Sequence, residues 1–247
     1  MYCPFDETKN FGVIILMDDA AKTSFAKFHA NPVKSSLYST VPGFCGEITD
    51  PMEYPNSTVI SAFQDENALL QAQRFLRMHH RKVRKIGHTF CITLKKHDNT
   101  VVADRLLDIF DKVFFVDSEP LLFFPVDIIE AWSENCFAGI DFADVCSMIA
   151  YSKKIYLATS SHADLDSFVK ACGALQPTIN ACSKGRRFNL VMLLHVPQSC
   201  GLDDIESAIS ATDDSLPDLD DLVFIPRFNS KDDTDFHLAV LICPHDI

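Results

Sequence analysis

Two aspartates, Asp141 and Asp144, stand three residues apart in the stretch GIDFADV, residues 139–145. Carboxylates this close can do three kinds of chemistry. One can accept the unpaired N–H groups at the start of a helix. A pair can help to hold a cation. A pair can also polarise an attacking water as one part of a hydrolytic centre. The stretch follows VDIIEAWSENC (126–136), which reads as a helix, and Asp141 directly precedes FADVCSMIA, which reads as the start of another. Asp141 is thus well placed as an N-cap. Capping and catalysis are compatible roles, and the spacing leaves both open.

The other chemistry-bearing residues form weaker patterns. His79, His80, His88, His97, His195 and His237 are scattered, none at a recognisable spacing from a nucleophile, and neither GxSxG nor HExxH occurs. The nine cysteines include no CxxC pair. They read as reduced, mostly buried thiols of a cytoplasmic protein, and no structural zinc is expected. The aspartates of DDSLPDLDD (213–221) and of 232–235 lack the oxygen spacing, central glycine and terminal glutamate of a calcium loop. No metal is therefore expected. The basic run RMHHRKVRK (77–85) falls at a helix C-terminus, where cations complement the dipole, and has no aromatic for stacking. With a net charge of −12 on 247 residues, no nucleic-acid partner is expected.

The elements that must position these residues alternate. FGVIILM (11–17), TVISAF (58–63), HTFCITL (88–94) and KVFFVD (112–117) read as buried strands. Between them DDAAKTSFAKFHA (18–30), DENALLQAQRFLRMHH (65–80) and VVADRLLDIF (101–110) read as helices. Residues 34–57, rich in Pro, Gly, Ser and Thr, read as a loop with at most one short strand. This βαβ rhythm predicts a parallel, Rossmann-like α/β domain over 1–136. The rhythm then changes. KKIYLATS (153–160), FNLVMLLHV (188–196), DLVFIPRF (221–228) and FHLAVLIC (236–243) read as strands, with helices near 162–174 and 202–211. The polar turn NSKDDTD (229–235) suggests that the last two form a hairpin. A mixed-sheet α+β domain over 137–247 is expected.

Parallel sheets of this kind bind nucleotides beyond the C-terminal strand ends, where glycine-rich turns let backbone N–H groups reach phosphate. Only eight glycines occur, none between Gly46 and Gly87. The turn after the first strand, MDDAAK, carries Asp18 and Asp19, and the turn after 58–63, QDENAL, carries Asp65, Glu66 and Asn67. Carboxylates there repel phosphate, and side chains block close approach of the backbone. No bound nucleotide or other cofactor is expected.

The run from GIDFADVCSMI through KKIYLATSS, ADLDSFVKACGAL and GRRFNLVMLLHVPQSCGLDDIESAISA to DLVFIPRFNSKDDTDFHLAVLICP resembles the second domain of FtsZ, of the tubulin superfamily. The NxDFADV loop of that family is matched at 140–145, with Gly139 where its Asn stands. The first half follows the family's order of elements and departs from it at the nucleotide. The GGGTGTG signature falls on 65–71, and the first phosphate loop falls on 18–21. Of the base-contacting Asn-Asp pair only Asp127 is left, after Val126.

The resemblance implies an FtsZ/tubulin-like fold and a degenerate GTPase that is not itself an enzyme. In the family, this loop enters the nucleotide pocket of the next subunit and supplies carboxylates to the attacking water. Asp141 and Asp144 match those carboxylates and would act in trans. Gly139, Ile140, Asp141, Phe142 and Asp144 would form the docking surface. The implied role is to cap or modulate FtsZ-type filaments in cell division. The implied partner is an FtsZ-type subunit, or a second copy bound end to end. The alternatives are a divergent GTPase with a rebuilt pocket and a nucleotide-independent self-assembling scaffold. The chain ends at Ile247, just after the last strand, so direct membrane binding is not expected.

Overall fold

The computed structural model describes residues 12–16, 38–42, 58–62, 89–98, 101–108, 110–117, 142–229 and 233–246. The chain divides into two compact units, Met1–Phe123 and Phe124–Ile247. The expected boundary at 136/137 lies outside the described residues, as do the expected helices at 18–30, 65–80 and 126–136 and the basic run.

In the first unit, five strands are described: β1 (Gly12–Leu16), β2 (Tyr38–Pro42), β3 (Thr58–Ala62), β4 (Thr89–Leu94) and β5 (Lys112–Val116). All pair in parallel, in the order β2-β1-β3-β4-β5. Phe114 and Phe115 point to opposite faces of β5 and both are buried, so both faces of the strand are covered. Helix α1 (Val101–Leu107) buries Ala103 and Leu106 and returns the chain to β5. The strand order reverses at β1, with β2 on one side and β3 on the other. Such a switch point leaves a crevice at the strand ends, the usual ligand position in a parallel sheet.

The second unit runs α2 (Phe142–Ile149), β6 (Lys154–His162), α3 (Leu165–Gly173), α4 (Gln176–Ser183), β7 (Phe188–Val196), α5 (Leu202–Asp213), β8 (Leu219–Phe228) and β9 (Phe236–Pro244). Its strands lie in the order β6-β9-β7-β8, with β9 antiparallel to both neighbours and β7 parallel to β8. The expected hairpin of the last two strands is therefore corrected: β9 passes over β7 and inserts between β6 and β7. Burial explains the choice. Eight of the nine β9 residues are buried, which an edge position beside β8 would not allow, whereas β8 opens with exposed Asp220 and Asp221 and belongs at the edge.

Phe168 of α3 stacks on Phe236 with centroids 5.2 Å apart. Asn189, opposite Cys243 of β9, reaches Met148 of α2 instead. Phe236 and Cys243 differ by an odd number of positions, so α3 and α2 cover opposite faces of the sheet.

Local signals set two helix ends. Asp164 caps α3, accepting the Ser167 N–H at 2.8 Å and the Ser167 hydroxyl at 2.9 Å. These bonds, the backbone N–H first, hold its carboxyl below the usual aspartate value. A depressed carboxylate stabilises the fold above the unfolded pKa of about 3.9 and loses that contribution as pH falls through its folded value. Asp164→Ala is expected to lower the melting temperature at pH 7, and the difference from wild type is expected to close as pH drops below about 4 in paired melting curves. The α4 helix ends on Lys184 at φ 54°, followed by Gly185 at φ 76°. A side chain at positive φ costs about 1 kcal/mol relative to glycine. Lys184→Gly is expected to raise stability by about 0.5–1 kcal/mol in urea unfolding.

Candidate functional site

Helix α2 carries the second of the two aspartates. Val145, Met148 and Ile149 are buried, at the i, i+3, i+4 spacing of one apolar stripe. Asp144 and Ser147 are exposed on the other side. Asp144 lies in the first turn, where a carboxylate complements the positive end of the helix dipole. The Ser147 hydroxyl donates to the Asp144 carbonyl at 2.7 Å. The carboxylate is therefore presented away from the core. Gly139, Ile140 and Asp141 lie outside the described residues, as does the side chain of Phe142, the residue that begins the helix.

The far end of α2 is held by a polar network that sequence reasoning missed. Asn189, only 5 % exposed, donates from Nδ2 to the Met148 carbonyl at 3.0 Å. That carbonyl belongs to the last turn and has no partner within the helix. Asn189 Oδ1 lies 3.1 Å from His245 Nε2, and His245 Nδ1 lies 3.3 Å from the Asp220 carboxylate. Arg187 pairs with the same carboxylate. Past β9, Asp246 N–H donates to the Tyr151 carbonyl at 2.8 Å, and the Asp246 carboxylate accepts from the Lys153 N–H at 2.7 Å. The residues after β9 thus lie across the exit of α2. The only sequence signal was a polar Asn189 near the start of a mostly apolar strand.

Of the positions matched to a nucleotide pocket, Asp18, Asp19, Asp65, Glu66 and Asn67 belong to the first unit and Asp127 to the second. Leu16 pairs with Ala62, so β1 and β3 end side by side at the switch point. Asp18 and Asp19 follow Leu16 by two and three residues, and Asp65, Glu66 and Asn67 follow Ala62 by three to five. At about 3.3–3.6 Å of reach per residue, the Asp18 and Asp65 backbones stay within about 11 Å of those ends. Four carboxylates therefore leave from neighbouring strand ends, with no glycine among 17–22 or 63–71. An anionic ligand there meets like charge, worth about 4 kcal/mol per pair at 4 Å near a surface. The structures of these turns, and of Asp127, lie outside the described residues. Among the described residues, no group of three His, Cys, Asp or Glu side chains could hold a metal ion, and no helix is long and apolar enough to cross a membrane.

Two histidines meet a serine hydroxyl: His162 Nε2 lies 2.9 Å from its near neighbour Ser160, and His237 meets a residue distant in sequence. His237 Nδ1 lies 2.9 Å from the Ser161 hydroxyl, although the two are 76 residues apart in the chain.

No family model matches the sequence, and no curated protein matches it. Solved structures do match. A FtsZ dimer from M. jannaschii superposes with a TM-score of 0.62 at 11% identity, over 95% of this chain and 88% of that one. CetZ from Methanosaeta thermophila gives 0.60 at 10% identity, over 95% and 87%. TubZ from Bacillus thuringiensis serovar israelensis, in GDP-form protofilaments, gives 0.59 at 6% identity, over 98% and 88%. The fold is that of these FtsZ, CetZ and TubZ structures, in a sequence far diverged from them.

Proposed function

We propose that this chain, built on an FtsZ/tubulin-type fold, is a pseudo-GTPase that acts by protein–protein association in the cytoplasm. Its Asp141/Asp144 face docks on the nucleotide-bearing face of an active FtsZ-type subunit. Its own switch point, without nucleotide, does not recruit the next subunit. A one-sided subunit of this kind caps or modulates filaments and so acts on division.

The observation that carries this reading is the contrast between two sites. Asp144 is exposed on a helix whose exit is firmly tied, while the sequence that follows the ends of β1 and β3 is acidic and has no glycine. Sedimentation with an active FtsZ tests it. At equimolar protein, polymer mass and GTP turnover are expected to change, with this chain in the pellet at a low ratio. Unchanged polymer, unchanged turnover and no complex would sink the reading.

Self-association without nucleotide is the second reading. It is favoured by the similar folds that form a dimer in M. jannaschii FtsZ and protofilaments in TubZ. Light scattering of this chain alone, with and without GTP, separates the two. Nucleotide-independent growth favours the scaffold, and a constant monomer favours the cap.

A further inference from the structure

We propose that Ser161 is a nucleophilic serine, activated by His237 and Asp233, that accepts the acyl group of small activated esters. Three chain segments build the site. Ser161 is near the end of β6, His237 near the start of β9, and Asp233 in the connection before β9. Strand register places Ser161 directly opposite His237, and His237 directly opposite His195 of β7. Directly opposed residues share a sheet face, so the three side chains form one row.

The hydrogen bonds assign the protons. Asp233 Oδ1 accepts the Asp235 N–H at 3.1 Å, which fixes the carboxylate within its own turn. Oδ2 is left facing His237 Nε2 at 3.1 Å. The Asp235 N–H first, and then His237, hold the Asp233 carboxyl below the usual aspartate value, so it stays ionised at neutral pH. An ionised carboxylate only accepts, so Nε2 of a neutral His237 carries the hydrogen. Nδ1 is then the lone-pair nitrogen, and it faces Ser161 Oγ at 2.9 Å. The His195 ring, edge-on at 6.5 Å between centroids, limits rotation of His237. A nucleophile, a base in hydrogen-bond reach and a carboxylate that orients the base are the parts such chemistry requires. The ring is used in the reverse sense to the usual serine triad, with Nδ1 toward the serine. Ser161 is exposed, so an ester can reach it.

The step balances without a further reactant. Ser161 Oγ bonds to the ester carbonyl carbon as its proton passes to His237 Nδ1. The intermediate collapses as the carbon–oxygen bond to the leaving alcohol breaks, and that alcohol takes the proton from His237. O-acyl-Ser161 and free alcohol result. Water then repeats the sequence and releases the carboxylic acid. The row lies on the α2 face of the sheet, but six residues along β7 from Asn189, about 20 Å away. It is separate from the Asp144 surface, and its failure would leave the filament reading untouched.

The full chain is treated with 4-nitrophenyl acetate, phenolate release is followed, and the acetylated residue is mapped by mass spectrometry. Acetyl-Ser161 is expected in wild type. Ser161→Ala is expected to lose that adduct and the burst. His237→Gln is expected to slow acylation by about a hundredfold, the lower range of general-base assistance. Asp233→Asn is expected to slow it by about tenfold or more, with the fold unchanged by circular dichroism. Acetyl on lysines alone, or Ser161→Ala reacting as fast as wild type, overturns the proposal. So does a rate for both His237→Gln and Asp233→Asn within about twofold of wild type. If His237→Gln fails to fold, Ser161→Ala and Asp233→Asn decide between these results.

Discussion

Replacing Asp141 and Asp144 together by alanine is expected to abolish the action of this chain on FtsZ-type filaments. If these carboxylates enter a partner's nucleotide pocket, they become buried charges with fixed partners. Truncating such a group at an interface costs about 2–5 kcal/mol. That is a loss of about thirtyfold or more in affinity, enough to remove a micromolar complex from a sedimentation assay. Asp218→Ala, which removes another exposed carboxylate of the same unit, is expected to change nothing. The same variant separates the two roles that the GIDFADV stretch leaves open. A loss of capping alone lowers stability by about 1 kcal/mol and leaves the filament effect intact. A role in trans removes the filament effect with the melting temperature only slightly lowered. Single variants are informative as well. Asp144 lies in the first turn of its helix, so its helix-dipole contribution is about 0.3–1 kcal/mol, and a larger functional loss cannot come from the helix alone.

Asn189→Leu is expected to produce the largest loss of stability. The new side chain is close in volume and apolar, so packing is nearly kept. It leaves the Met148 carbonyl and His245 Nε2 without the bonds of 3.0 and 3.1 Å that Asn189 supplies. A buried carbonyl left unsatisfied costs about 1–3 kcal/mol and the part-exposed His245 nitrogen about 1 kcal/mol, so the expected total is about 2–4 kcal/mol. For a chain of this size that lowers the melting temperature by roughly 5–15 °C. The loss has a direction in space. Helix α2 loses its anchor at the C-terminal end, so its amides are expected to exchange early, while those of β7 and β9 stay protected. His245→Ala is expected to cost less, because Asn189 still reaches Met148. A variant of Asn189 that melts within about 1 °C of wild type would show that the network does not hold the helix.

What could be read in advance follows from the range of each interaction. The strand β7 was legible because FNLVMLLHV is apolar at every position but Asn189 and His195, as a strand covered on both faces requires. The parallel order of the first unit followed from alternating periodicities. The β8–β9 pairing was misread because a short polar turn carries no information about which strand lies beside which. That choice was made by the burial that β9 needs. Helix α4 was missed as a separate element because QPTINACS has a proline and only Ile179 and Cys182 as an apolar stripe, yet Pro177 sits in the first turn, where the missing N–H costs nothing. At the candidate site, the place of Asp144 in the first turn of a helix was legible from FADVCSMIA. The Asn189–His245–Asp220 network was not, since its members are joined only by folding, 56 residues apart in the case of Asn189 and His245. The same holds for Ser161 and His237. Their distance in space is set by the register of β6 on β9, which no local spacing reports.

The central claim, that the FtsZ-type fold is kept here without its nucleotide, is tested most directly by equilibrium binding of labelled GTP to the purified chain. No saturable binding is predicted up to about 100 μM, because four carboxylates follow in sequence the strand ends beyond which phosphate would lie. Saturable binding tighter than about 10 μM, displaced by unlabelled GDP, would contradict it.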